Sequence, residues 1–498
     1  MSRTERISPV DTAWLRMDRP ANRMMIVGVM MFDDAIRLED LRRVVRSRLL
    51  PLRRFRQRAA LEISGAYWVE DEDFDLDFHV KAVALPRPAG SRELQGLVAD
   101  LVATPLDATR PLWQFLLVEN YDGGSAVVAR IHHCIADGIA LMGVLLSMTD
   151  DSPDAREAPL EAEPEADETS QAEPWLLAPA TQAMLAAIRM SGTLWSKYWS
   201  LVANPGQAFD LARMMAAIGA ELAHLATLPD DSATRFKGRP GTVKRVSWSE
   251  PMPLAEIKAI GKALGCSVND LLLSTVAGAL RGYLAGKGDA VEGVEIRAMV
   301  PVNLRDPRDA VSLGNRFGLV EVVLPVGLAN PLERLYEVKR RMEGKKSSLQ
   351  APVVFGLLSA LGLMPRAVQQ QVLDILARKA TAVMTNVPGP QKPLWLAGAR
   401  LRQLMFWVPQ SGDIGMGVSI LSYDGGVQLG LITDHALVPD PEKITALFQP
   451  EFERLLYQVL MEPWSDEAKQ APEAAPARRA RRAKRAIRKS RKPPTPND

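Results

Sequence analysis

Cysteine is almost absent: Cys134 and Cys266 are the only two in 498 residues. Two thiols cannot build a disulfide framework or a four-thiolate zinc site, and a reducing compartment, the cytoplasm, is the expectation. Long apolar runs are missing as well. The stretch from Met24 to Phe32 is strand-sized, and later apolar stretches are broken by charge or proline, well short of the roughly 20 residues a membrane helix needs. The opening MSRTERISPVDTAWLRM has no apolar core of signal-peptide length, so secretion is not expected. There is no G-x-S-x-G elbow for a strained serine nucleophile, and neither G-x-x-x-x-G-K-[ST] nor G-x-G-x-x-G to cradle phosphates. Hydrolase, phosphoryl-transfer and hydride-transfer chemistry thereby lose their usual handles.

What is present is a globular balance, 47% hydrophobic and 24% charged, which at roughly 100 to 200 residues per domain suggests two or three domains. The net charge of +2 hides an asymmetry. Residues 478 to 492 (RRARRAKRAIRKSRK) carry ten basic residues and no acidic one, which leaves the rest of the chain near −8. Residues 150 to 174 hold ten acidic residues, one arginine and four prolines, the composition of a solvated linker.

Periodicity divides the remainder. Residues 1–149 mix helices and strands: MMIVGVMMF (24 to 32) reads as a buried strand and LEDLRRVVRSRLLPL (38 to 52) as a helix. WQFLLVENY and SAVVARIHH flank Asp122-Gly123-Gly124 as a hairpin would. Residues 175–236 read as a helical crossover, with an apolar stripe from Leu211 to Leu225. Residues 237–462 repeat the mixed pattern, with strands at 294 to 302 and 317 to 326 and a hairpin around Asp424-Gly425-Gly426. A final helix is expected from about 441 to 460, followed by a basic disordered tail, 463–498.

The segment that carries chemistry is Arg130-Ile131-His132-His133-Cys134-Ile135-Ala136-Asp137-Gly138. It lies where an apolar strand ends and an apolar helix begins, the place in α/β sheets where cavities form. Neighbouring strand residues point to opposite faces, so one histidine addresses a given cavity and the other does not. The bland alternatives stand beside this reading. A tandem histidine pair is more often structural than catalytic, and Asp137 is a ready helix N-cap whatever else it does. Metal binding is not expected, because adjacent strand residues oppose convergence of His132, His133 and Asp137 on one ion. A histidine that removes a proton from a hydroxyl or thiol attacking an acyl donor remains.

His132-His133-Cys134-Ile135-Ala136-Asp137-Gly138 matches the H-H-x-x-x-D-G motif of chloramphenicol acetyltransferase and peptide-synthetase condensation enzymes. More narrowly, the chain resembles the bacterial wax ester synthase/diacylglycerol acyltransferase family over about residues 7 to 460. The resemblance is carried, in order, by SPVDTAWLRM (8 to 17), PLW (111 to 113), SVND (267 to 270), PVNLR (301 to 305), LGNRFG (313 to 318), TNVPGP (385 to 390) and the LSYDGG to GLITD hairpin. It implies an α/β architecture of two chloramphenicol-acetyltransferase-like mixed-sheet domains joined by the helical crossover, with an active-site channel between them. By the same resemblance His133 is the general base, His132 supports it, and Asp137 is structural and pairs with an arginine, for which Arg305 is the candidate. Gly138 leaves room beside the loop. Asn269 orients substrate or the developing oxyanion, and Asp270 completes its string. Read from the residues alone, Ser267 and Asp270 form a capping box and Asn386 belongs to a Pro-Gly turn.

The expected activity is acyl-CoA-dependent esterification of long-chain alcohols or diacylglycerol, with acyl-CoA as co-substrate, no cofactor and no covalent acyl-enzyme. A condensation-type enzyme using carrier-bound thioesters and a catalytically silent lipid-binding or granule protein are the alternatives. The basic tail suits an anionic membrane or lipid-droplet surface, giving a cytoplasmic protein peripheral to the inner membrane. It has no aromatic residue for base stacking, so nucleic acid is not the expected partner.

Overall fold

The computed structural model describes residues 4–62, 65–153, 220, 223–224, 227–304, 313–345, 350–364 and 366–461. The acidic linker from 154 on, nearly all of the crossover, Arg305 and the basic tail lie outside the described residues.

Two mixed sheets organise the chain. The first has six strands in the order Trp395–Leu396, Ala399–Trp407, Met25–Phe32, Gly124–His132, Trp113–Tyr121, Val80–Val83. Met25–Phe32 is apolar throughout because both of its faces are covered, and every residue in it is buried. The second sheet runs Phe317–Leu324, Ile296–Asn303, Ala382–Pro388, Met416–Tyr423, Gly426–Asp434, Lys244–Trp248, with the Met252–Pro253 bridge also on Gly426–Asp434. Its three central neighbours pair in parallel, so the C-terminal ends of Ile296–Asn303 and Ala382–Pro388 emerge side by side. Helices Val268–Gly286 and Glu442–Met461 cover it, contributing Leu271 to Leu284 and Phe448 to Leu455 to a second hydrophobic core. Both Asp-Gly hairpins form. Asp122 and Gly123 have φ of 48° and 78°, Asp424 and Gly425 44° and 77°, the left-handed pair that a two-residue turn between twisted strands requires.

Two readings need correction. The helix expected over 38 to 52 is regular only over Leu38–Val44; it widens into a π turn over Val45–Leu49 and ends before Pro51, which cannot continue it. The stretch 395–407, assigned by sequence to the second half, adds its strands to the first sheet: Ala399–Trp407 pairs antiparallel with Met25–Phe32 along Leu401↔Phe32 to Trp407↔Val27. Strand-strand pairing across halves leaves no local trace in hydropathy, since a buried strand reads alike in either sheet.

The halves also meet through helices Pro9–Met17 and Gln350–Leu363. Gly362 allows this approach, because a Cβ there would sit 1.8 Å from the carbonyl oxygen of Pro9. Arg16 donates across the contact to the carbonyls of Gly362 and Met364 at 3.2 and 3.0 Å. Among the described residues no single helix is long and apolar enough to cross a membrane.

Candidate active site

His132 closes its strand and His133 follows it, so the pair splits as alternation requires. His133 lines an apolar cavity of about 100 Å³ between the two sheets. Trp14 stacks on its ring with centroids 4.2 Å apart, and Phe317 stands 5.5 Å away. The ring's Nδ1 has no hydrogen-bond partner, so the Trp14 stack orients it. Burial pulls the His133 pKa down to about 4, with the Asp137 carboxylate opposing. The ring is therefore neutral at pH 7. His132 is also lowered to about 4 by burial, but it lines a different recess and its Nδ1 accepts the Cys134 N–H at 3.1 Å.

Asp137 is the N-cap of helix Gly138–Ser147: Oδ1 accepts from the N–H of Ala140 at 2.9 Å, while Oδ2 accepts from the N–H of Arg316 at 3.1 Å. The capping role and the closeness to His133 hold together. Gly138 leaves room for the donated strand's end, since a Cβ there would lie 3.3 Å from Val408 Cγ1.

Sequence reasoning missed the clamp that holds this loop. Asn315 Nδ2 donates to the carbonyl of His133 at 2.7 Å and to Asp11 Oδ1 at 2.6 Å, while its N–H also reaches Asp11. Gly314 N–H donates to the carbonyl of Ile135 at 3.1 Å. Burial pushes the Asp11 carboxyl up, against hydrogen bonds from Asn315 and Ser8. Both strings of this clamp, SPVDTAWLRM and LGNRFG, were part of the resemblance, yet no local pattern says that an Asp and an Asn 304 residues apart touch. Asn315→Ala should lower melting by the cost of one or two buried, unsatisfied groups, about 1 to 3 kcal/mol each, and lower the rate too, because the His133 carbonyl loses its anchor. Thermal melts and initial rates measured side by side check both; an unchanged melt would show the clamp to be idle.

The second half supplies Pro301, Asn303, Thr385 and Asn386 to the cavity wall from its adjacent strand ends. Asn386 is thus more than a turn residue. Asn269 stands behind it, its Oδ1 accepting from Asn386 Nδ2 at 2.8 Å. Asp270 forms the capping box with Ser267: Oδ2 accepts from the Ser267 N–H at 2.9 Å and its own N–H donates to Ser267 Oγ at 3.1 Å.

Two mixed sheets sharing a strand, with a His-His-x-x-x-Asp-Gly loop opening on an apolar cavity between them, define the acyl-transfer fold of the condensation and acetyltransferase enzymes. Solved structures show the same architecture. A wax ester synthase/diacylglycerol acyltransferase from Marinobacter aquaeolei VT8 aligns with a TM-score of 0.65 at 20% identity, covering 92% of this chain and 100% of that one. The first condensation domain of the calcium-dependent antibiotic synthetase, in complex with a substrate analogue, aligns at 0.58 with 14% identity, covering 93% and 98%.

The sequence narrows the class. Residues 7–272 match the wax ester synthase/diacylglycerol acyltransferase catalytic domain and residues 313–456 the corresponding C-terminal domain. The chain belongs to the wax ester synthase/diacylglycerol acyltransferase family, and it is an acyltransferase with an acyl donor and an acceptor as substrates. Its relatives in Mycobacterium tuberculosis strain H37Rv include a probable diacylglycerol O-acyltransferase, 29% identical over 82% of this chain and 86% of that protein. A putative diacylglycerol O-acyltransferase of the same strain is 30% identical over 82% and 87%.

Proposed function

We propose that the protein transfers an acyl group from acyl-CoA to a long-chain alcohol or to diacylglycerol, with His133 as general base. The observation that carries this reading is a neutral imidazole walled by apolar side chains at the one place where both sheets reach the cavity. The acceptor hydroxyl gives its proton to the ring as its oxygen attacks the thioester carbonyl. The tetrahedral adduct then collapses, the carbon–sulfur bond breaks, and the proton passes from the imidazolium to the departing CoA sulfur. Burial that keeps the ring neutral also disfavours the imidazolium, which speeds that second transfer. Cys134 is a poor nucleophile, buried with its thiol pKa pushed well up, which favours direct transfer without an acyl-enzyme. Asn386, held by Asn269, is the polar side chain placed to orient the acceptor or the oxyanion, and Asp137 holds the loop. No cofactor is needed for this chemistry.

The test is to incubate the purified chain with palmitoyl-CoA and either hexadecanol or diacylglycerol and to resolve the lipid products. Wax ester, triacylglycerol or both are expected, with equimolar CoA release; absence of ester with either acceptor defeats the reading. Transfer only from a carrier-bound thioester would instead favour a condensation-type reaction. We further propose that the protein works in the cytoplasm at the inner membrane or lipid droplets, since its acceptors dissolve in lipid, and that the ten basic residues of 478 to 492 hold it there. A chain ending at residue 462 should float less with anionic vesicles than the full chain at low salt; equal flotation would place the contact elsewhere.

A further inference from the structure

The tandem histidines open onto separate spaces. His132 lines a recess of about 440 Å³ on the far side of the loop from the His133 cavity, and the two share no lining residue. Most of its wall is apolar, including Leu15, Leu61, Leu106 and Leu112, and Ala59 and Ala60 of the strand Gln57–Glu62 leave its floor low. Three charged side chains face it: Arg23, Arg58 and Asp18.

Their pairing leaves the recess cationic. The Asp18 carboxylate accepts from Arg23 Nη1 at 2.9 Å and from the N–H of Met24 at 2.8 Å. Arg23 Nε is buried without a partner. Arg58 has neither an ion pair nor a hydrogen bond among the described residues. His132 adds a directed donor. Because Nδ1 accepts the backbone N–H of Cys134, the neutral ring carries its proton on Nε2. That N–H has no protein partner among the described residues.

We propose that this recess binds an anionic amphiphile, its carboxylate or phosphate head on Arg58, Arg23 and the His132 Nε2–H and its alkyl tail along Leu15, Leu61, Leu106 and Leu112. A free fatty acid and a lipid phosphate share that chemistry. A guanidinium next to an apolar wall rewards a ligand carrying both parts, and neither part alone. The site does not rest on the reading of His133.

Calorimetric titration of the full chain with decanoate, decyl phosphate, decanol and inorganic phosphate tests it, and the stronger of the two amphiphiles identifies the source. One or both should bind at one per chain, with decanol and inorganic phosphate weaker by about tenfold or more, the value of a charge-assisted hydrogen bond or of several buried methylenes. Arg58→Gln should weaken binding about tenfold. Ala60→Trp should fill the recess and abolish binding, and His133→Ala should leave it intact. Should Ala60→Trp fail to fold, Arg58→Gln decides. Absence of binding by both amphiphiles overturns the proposal, as does binding insensitive to Arg58→Gln, binding lost with His133→Ala, or decanol or phosphate binding as tightly as the amphiphiles.

Discussion

His133→Ala is expected to reduce ester formation by about 10² to 10⁴, the contribution of a positioned general base, while leaving the fold in place. The residue makes no side-chain hydrogen bond, and what is lost structurally is its stack on Trp14. His132→Ala should retain more activity, because that ring faces another space. If His133→Ala matches the parent rate in the palmitoyl-CoA assay, the base lies elsewhere. The acid limb of the pH profile adds a second readout. The active form is the neutral ring, and a pKa held near 4 keeps it neutral down to that pH, so no loss of rate from His133 is expected between pH 7 and 5. Stability runs the other way. The unfolded chain's histidines take up protons near pH 6.5 while those of the fold wait until about 4, so between these values the unfolded state binds more protons. Both histidines thus cost stability as pH falls from 6.5 towards 4, and His133→Ala should blunt that loss in melts recorded across the window.

Glu451→Ala should be the most damaging single change to stability, about 3 to 5 kcal/mol by chemical denaturation, because it strands a buried cation. Glu451 Oε2 accepts from Arg334 Nη2 at 2.7 Å, with the two side chains only 4% and 1% exposed. Arg334 also donates from Nε to the Ser274 carbonyl at 3.2 Å and from Nη1 to that of Leu328 at 2.9 Å. The pair thus ties helices Val268–Gly286, Pro331–Lys345 and Glu442–Met461 together. Neither residue lines the His133 cavity, so the rate per folded molecule should hold. A denaturation midpoint unchanged from the parent would show that water reaches the guanidinium.

The strands and hairpins were legible because each depends on signals within a few residues: apolar runs for Met25–Phe32 and Phe317–Leu324, Asp-Gly pairs for the turns. The division of labour between His132 and His133 followed from strand alternation alone, and the Ser267–Asp270 capping box from spacing. What stayed hidden was set by contacts distant in sequence. Asn315 bridging Asp11 and the His133 carbonyl, Trp14 lying on the imidazole and Asn269 backing Asn386 each need the two halves assembled. The donated strand Ala399–Trp407 belongs to the same class, since nothing in its own residues names its neighbour.

That strand bears on how the protein is made. A ribosome finishes Met25–Phe32 some 370 residues before the partner that covers its open edge, so at roughly 5 to 20 residues per second the nascent chain carries an uncapped, wholly apolar edge strand for tens of seconds. An edge of that kind templates pairing with other chains. Early truncations, stalled translation and fragments ending near residue 149 should therefore aggregate even though they contain the whole His-His-x-x-x-Asp-Gly loop, and the cell's chaperones should meet this protein during synthesis rather than after it.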